Sequence, residues 1–160
     1  MKFIASIILV FLCLALPSLA QQAKGWRGIV PLHSSRTDVE KLLGPSTDSC
    51  RCLYKTEHKI VQVVYSNQTC KDDSRGWDVP LDTVLLISVS LKTEVRLADL
   101  RLDLTKYQKT DNQFSPGMSF YTHEDGGIFI IVTGTDELVG SINYQPTKND
   151  EKSCRCQQRH

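Results

Sequence analysis

The chain predicts an α+β fold: one antiparallel sheet with short helices on one face, tied by disulfides. Three observations carry that expectation. Residues 35–44 form a short apolar-faced segment with both helix ends marked, several runs rich in β-branched residues alternate with turn signals, and the stretch Ser-Cys-Arg-Cys occurs at residues 49–52 and again at 153–156.

The first 20 residues read as a signal peptide. Lys2 gives a positive start, an apolar run covers residues 3–16, Pro17 breaks it, and Ser18-Leu19-Ala20 puts small residues where a peptidase cuts, after Ala20. The run is shorter than the roughly 20 apolar residues of a membrane span. Cys13 follows the large Leu12, which does not suit lipid attachment. The expected location is therefore periplasmic or secreted. What remains divides into one domain, residues 21–146, and a polar C-terminal tail, residues 147–160.

Within the domain the first element is a helix of about two turns. Ser35 stands at its N-cap with Asp38 as the capping-box partner, and Gly44 then Pro45 stop it. Val39, Leu42 and Leu43 share one face, so the helix lies on something apolar. Strands follow at residues 52–55, 59–66 and 83–91, with a polar loop carrying Cys70 and Trp77 before the third. Between Leu97 and Leu104 the leucine spacing suits a helix and the alternation of Leu100, Leu102 and Leu104 suits a strand; a short helical turn running into extended chain is expected. A meander at residues 118–122, 128–133 and 138–144 completes a second round, so the coarse map is a helix and three strands, twice over.

Removal of Lys2 with the signal leaves 18 of the 19 basic residues against 18 acidic ones, a net charge of zero. Binding of nucleic acid by counterion release calls for a basic excess or stripe, so no nucleic-acid partner is expected.

Five cysteines lie beyond the signal. An oxidising compartment pairs thiols, and zinc knuckles space their ligands by two to four residues rather than one. Residues two apart on a strand share a face, so each Cys-x-Cys pair bonds outward. The expected bridges are Cys52 with Cys70 and Cys50 with Cys154, leaving Cys156 over in the tail.

Residues 34–46, Ser-Ser-Arg-Thr-Asp-Val-Glu-Lys-Leu-Leu-Gly-Pro-Ser, resemble the helix-Gly-Pro signature of the SmpA/OmlA outer-membrane lipoproteins and related β-lactamase-inhibitor-like folds. Residues 28–44 together with Gly76-Trp77-Asp78-Val79-Pro80 are similar to small exported bacterial proteins of unknown function that carry a Gly-Trp-Asn-Val-Pro motif, Asp78 standing at the Asn position. These resemblances imply export and a helix-plus-meander fold, and no activity. Lacking a suitable lipid-attachment cysteine, the chain departs from the lipoproteins, and a role in outer-membrane assembly is not carried over.

No nucleophile elbow, zinc-protease helix, phosphate loop or calcium loop occurs in the chain. No catalytic residue, cofactor or metal is expected on that ground. Three function classes stay open: a non-catalytic binding domain with a protein or envelope partner, using one sheet face or the Trp77 loop; a hydrolase-type enzyme without a local motif, with His123 and Glu124 as its candidates; and a carrier or sensor holding metal on cysteines. Trp77, in a loop stiffened by Pro80, is either a binding anchor or a cap on one end of the core, and the core role is preferred for both Trp77 and Trp26.

Overall fold

The computed structural model describes residues 25–46, 48, 52–70 and 76–156. The signal peptide, its cleavage site after Ala20, and Cys50 lie outside the described residues.

Helix α1 spans Arg36–Leu43. The Ser35 hydroxyl accepts from the Asp38 N–H, the Asp38 carboxylate accepts from the Ser35 N–H, and Gly44 at φ 79° closes the helix where a side chain would be strained. Both ends fall where the sequence puts them.

Strands β1 (Leu53–Lys55), β2 (Lys59–Tyr65) and β3 (Val84–Leu91) follow, then 3₁₀ turns at Leu97–Leu100 and Leu104–Lys106. Next come β4 (Gln108–Asp111), β5 (Met118–His123), β6 (Ile128–Thr133), β7 (Leu138–Tyr144) and helix α2 (Lys148–Ser153). The strands form one seven-stranded sheet in the order β1-β2-β3-β7-β6-β5-β4, with every neighbour antiparallel. Two local meanders, β1 to β3 and β4 to β7, thus meet at a seam in which Ile87 pairs with Tyr144 and Val89 with Ile142.

The antiparallel sheet and its α+β character agree with the sequence; the repeat of a helix and three strands does not. The second half holds four strands, opens on 3₁₀ turns instead of a helix, and is followed by α2. The helical turn expected near Leu97 is present, and β4 is the additional strand.

One face of the sheet is buried from β1 to β5. Tyr54, Val61, Val63, Tyr65, Val84, Ile87 and Val89 pack with Val39 of α1 and with Trp26 and Ile29. In the other half Tyr121, Ile128, Ile130, Val132 and Val139 pack with Leu97 and Tyr107. The connection from β3 to β4 supplies that cover: the Leu97 N–H donates to the Glu137 carbonyl, the Val139 N–H donates to the Val95 carbonyl, and Leu100 and Leu102 lean on the same cluster. Tyr144 touches both clusters and joins them across the seam.

Residues 147–156 are folded against the domain. Thr147 and Asp150 make a second capping box at the start of α2, Lys148 pairs with Glu124, and Asp150 meets His33 at 3.3 Å. The bridge seen in the described residues joins Cys70 to Cys156 across 86 residues of chain. This corrects the expected pairing of Cys52 with Cys70 and the reading of Cys156 as the unpaired cysteine. Cys154 is the free thiol, so its expected bond to Cys50 is absent as well. Cys52 is itself disulfide-bonded. The physical reason lies in the docking of the tail. The Cys156 N–H donates to the Gly76 carbonyl and the Asp78 N–H to the Cys154 carbonyl, which fixes the segment beside the loop that follows Cys70.

Candidate functional site

The sheet face opposite the two apolar clusters carries two rows of side chains that cross all seven strands. From the pairing register, one row runs Leu53, Gln62, Ser88, Asn143, Phe129, Thr122, Gln108 and the next runs Lys55, Ile60, Ser90, Ser141, Ile131, Phe120, Thr110. The alternation of strand side chains puts these on one face. No residue of either row belongs to either apolar cluster.

This face has one charged side chain in its two rows, Lys55 on the edge strand, in a chain in which 23% of residues are charged. Its centre is polar and ordered: Ser141 and Asn143 are buried, and the Asn143 amide donates to the Ser141 hydroxyl at 3.0 Å and to the Phe129 carbonyl at 3.2 Å. On one side of that centre the rings of Phe120 and Phe129 lie 5.6 Å apart, half-buried, and Ile131 of β6 pairs with Phe120. On the other side Leu86 pairs with Val64, which is 41% exposed. A cleft lined by Val64, Gln62, Asn67, Leu81 and Arg36 opens at that end. The result is a mixed surface of aromatic, aliphatic and small uncharged polar groups.

Trp77 sits elsewhere. Its backbone bridges to Arg155, and the Arg155 guanidinium lies 4.0 Å over its ring, held by Glu151 at 2.8 and 3.1 Å. Trp77 is half-buried and belongs to neither apolar cluster, which corrects the preference for a core role; Trp26, 8% exposed, does belong to the first cluster. The Trp77 loop is fastened by Pro80 as well, whose carbonyl accepts from the Ser66 hydroxyl at 2.6 Å and the Thr83 hydroxyl at 2.7 Å.

His123 and Glu124 are neighbours that do different things. The His123 ring packs edge-on to Tyr107 at 5.2 Å, and its Nδ1 accepts from the Gly126 N–H at 3.2 Å, so it braces the β5–β6 turn. Glu124 is exposed and pairs with Lys148 at 3.2 Å. They share a shallow cleft with Lys106, Gln108, Thr122 and Asp125 whose lining is polar and charged. It lacks the apolar walls that would desolvate a reacting group.

The cysteines do not assemble as four thiolates, since Cys156 and Cys52 both sit in disulfides. Among the described residues no group of three or more His, Cys, Asp and Glu side chains could hold a metal ion. No helix among them is long and apolar enough to cross a membrane.

A binding sheet face is among the expectations from the sequence, but its residues are not named there, although a signal for them is present. In β3 and β7 the alternate positions Ser88, Ser90, Ser141 and Asn143 are small, polar and uncharged, where a solvated face carries lysine and glutamate. Comparison of the chain with protein-family models, with curated proteins and with solved structures yields no match.

Proposed function

We propose that the protein is an exported, non-catalytic binding domain that holds a protein of the cell envelope against the uncovered sheet face. The observation that carries this reading is the pair of cross-strand rows, uncharged except at Lys55, with Phe120, Phe129 and Ile131 beside a buried Ser141–Asn143 centre. Centres of protein interfaces are depleted in charge and enriched in aromatic residues, and polar groups there are hydrogen-bonded. Export is supported by the first 20 residues and by the Cys70–Cys156 bridge, which suits an oxidising compartment.

The test compares retention of envelope proteins on the intact mature protein, on Phe129→Arg and on Trp77→Ala, each shown to be folded by circular dichroism. Phe129→Arg is expected to lose the partner because a guanidinium lands in the uncharged rows, and Trp77→Ala is expected to keep it. Equal retention by Phe129→Arg overturns the reading, and loss on Trp77→Ala alone moves the surface to the Trp77 loop.

A further inference from the structure

The two edges of the sheet are finished differently. At β1 the outward groups of Leu53 are occupied: its N–H donates to the Asp48 carboxylate at 3.1 Å, and its carbonyl accepts from the Ser46 hydroxyl at 2.9 Å. The same carboxylate takes the Cys52 N–H at 3.1 Å. A chain approaching β1 finds those positions filled by side chains.

At β4 they are open. The Asn112 N–H donates to the Met118 carbonyl, and the register pairs Thr110 with Phe120 and Gln108 with Thr122, so the even-numbered residues turn their backbone groups toward β5. Lys109 and Asp111 therefore turn theirs outward, and among the described residues those N–H and C=O groups meet no partner. All four residues of β4 are exposed.

We propose that two copies of this chain pair edge to edge through β4, antiparallel, about a two-fold axis at Thr110. In that register Lys109 faces the partner's Asp111 and Asp111 faces the partner's Lys109. Both are outward-facing positions, so each pair exchanges two backbone hydrogen bonds, as an antiparallel ladder requires. The side chains opposite one another carry opposite charge. Sliding the strands by two residues in one direction sets Lys109 against the partner's Lys109, and in the other direction sets Asp111 against the partner's Asp111. Charge thus selects one register out of the neighbouring three.

Lysine on an edge strand ordinarily deters pairing; here an aspartate two residues on makes the strand complementary to itself. Within its own chain Lys109 already holds Glu137 at 2.7 Å, and Asp111 accepts from the Ser119 hydroxyl at 2.7 Å, so both side chains are oriented before any partner arrives. Phe114 follows in the turn after β4 and is 95% exposed. Such a contact is isologous and closes on itself at two copies.

Sedimentation of the intact mature protein over a concentration series reads the association directly, and amide exchange reads its site. The expected result is a dimer, with the Lys109 and Asp111 amides gaining protection as concentration rises. Lys109→Asp and Asp111→Lys, each folded by circular dichroism, should weaken self-association about tenfold or more, because each puts like charges opposite. Mixing those two variants should restore a dimer, as should the double exchange in one chain. A strictly monomeric native protein overturns the proposal, and so does a dimer whose strength is unchanged by Lys109→Asp.

Discussion

The guanidinium of Arg155 lies 4.0 Å over the indole of Trp77, and the backbones of the two residues bridge. One belongs to the loop between β2 and β3 and the other to the last residues described, so this stack closes the tail onto the domain. Arg155→Ala should uncover the Trp77 ring and shift its fluorescence to the red. The buried Trp26 serves as the internal reference. The cost in stability should be small, about 0.5–1 kcal/mol for an exposed cation–π contact. Unchanged emission would show that Arg155 does not shield the ring in solution.

The Cys70–Cys156 bridge closes a loop of 86 residues. The chain-entropy account gives about 4–5 kcal/mol for such a loop, an upper figure. Cys70→Ser with Cys156→Ser should therefore lower the melting temperature more than Cys154→Ser, which removes a free thiol. Equal melting of the two variants would contradict the assignment of Cys154 as the unpaired cysteine.

Val39, 1% exposed, joins α1 to the first apolar cluster. Val39→Asp places an unpaired charge there at a cost of several kcal/mol, against a total stability of about 5–15 kcal/mol. Loss of the folded far-ultraviolet circular dichroism is expected. A variant as heat-resistant as the native protein would show that α1 is not docked through this residue.

The Ser35 N–H and then the Ser35 hydroxyl, with Lys41 adding to them, hold the Asp38 carboxyl below its ordinary value of 3.8. A carboxyl lowered in the folded state contributes stability that is present above the unfolded value and lost as pH falls through the folded one. Melting temperatures should fall more steeply below about pH 3.8 in the native protein than in Asp38→Asn. Parallel curves would mean that the capping box carries no acid sensitivity.

Local chemistry made α1 legible: Ser35, Asp38 and Gly44 specify its ends without reference to anything distant. Strands β2, β3, β6 and β7 announced themselves because one side of each is buried in Val, Ile and Tyr. Strand β4 gave no such signal. Gln108, Lys109, Thr110 and Asp111 are all exposed, and an edge strand with no buried face has no period to read. The bridge from Cys70 to Cys156 was illegible for a different reason, since sequence spacing says nothing about which of several thiols the folded tail brings near. The uncharged face required knowing which strands adjoin, because its rows draw one residue from each.

The seam between β3 and β7 also orders events in time. Each meander is built from strands that are neighbours in sequence, whereas Ile87 and Tyr144 must find each other across the whole second half of the domain. Contacts of long sequence separation are slow to form, because their loop-closure entropy is lost before they are stabilised. The two meanders should therefore condense first, each around its own apolar cluster, and the molecule becomes a single cooperative unit when Tyr144 is clasped between them.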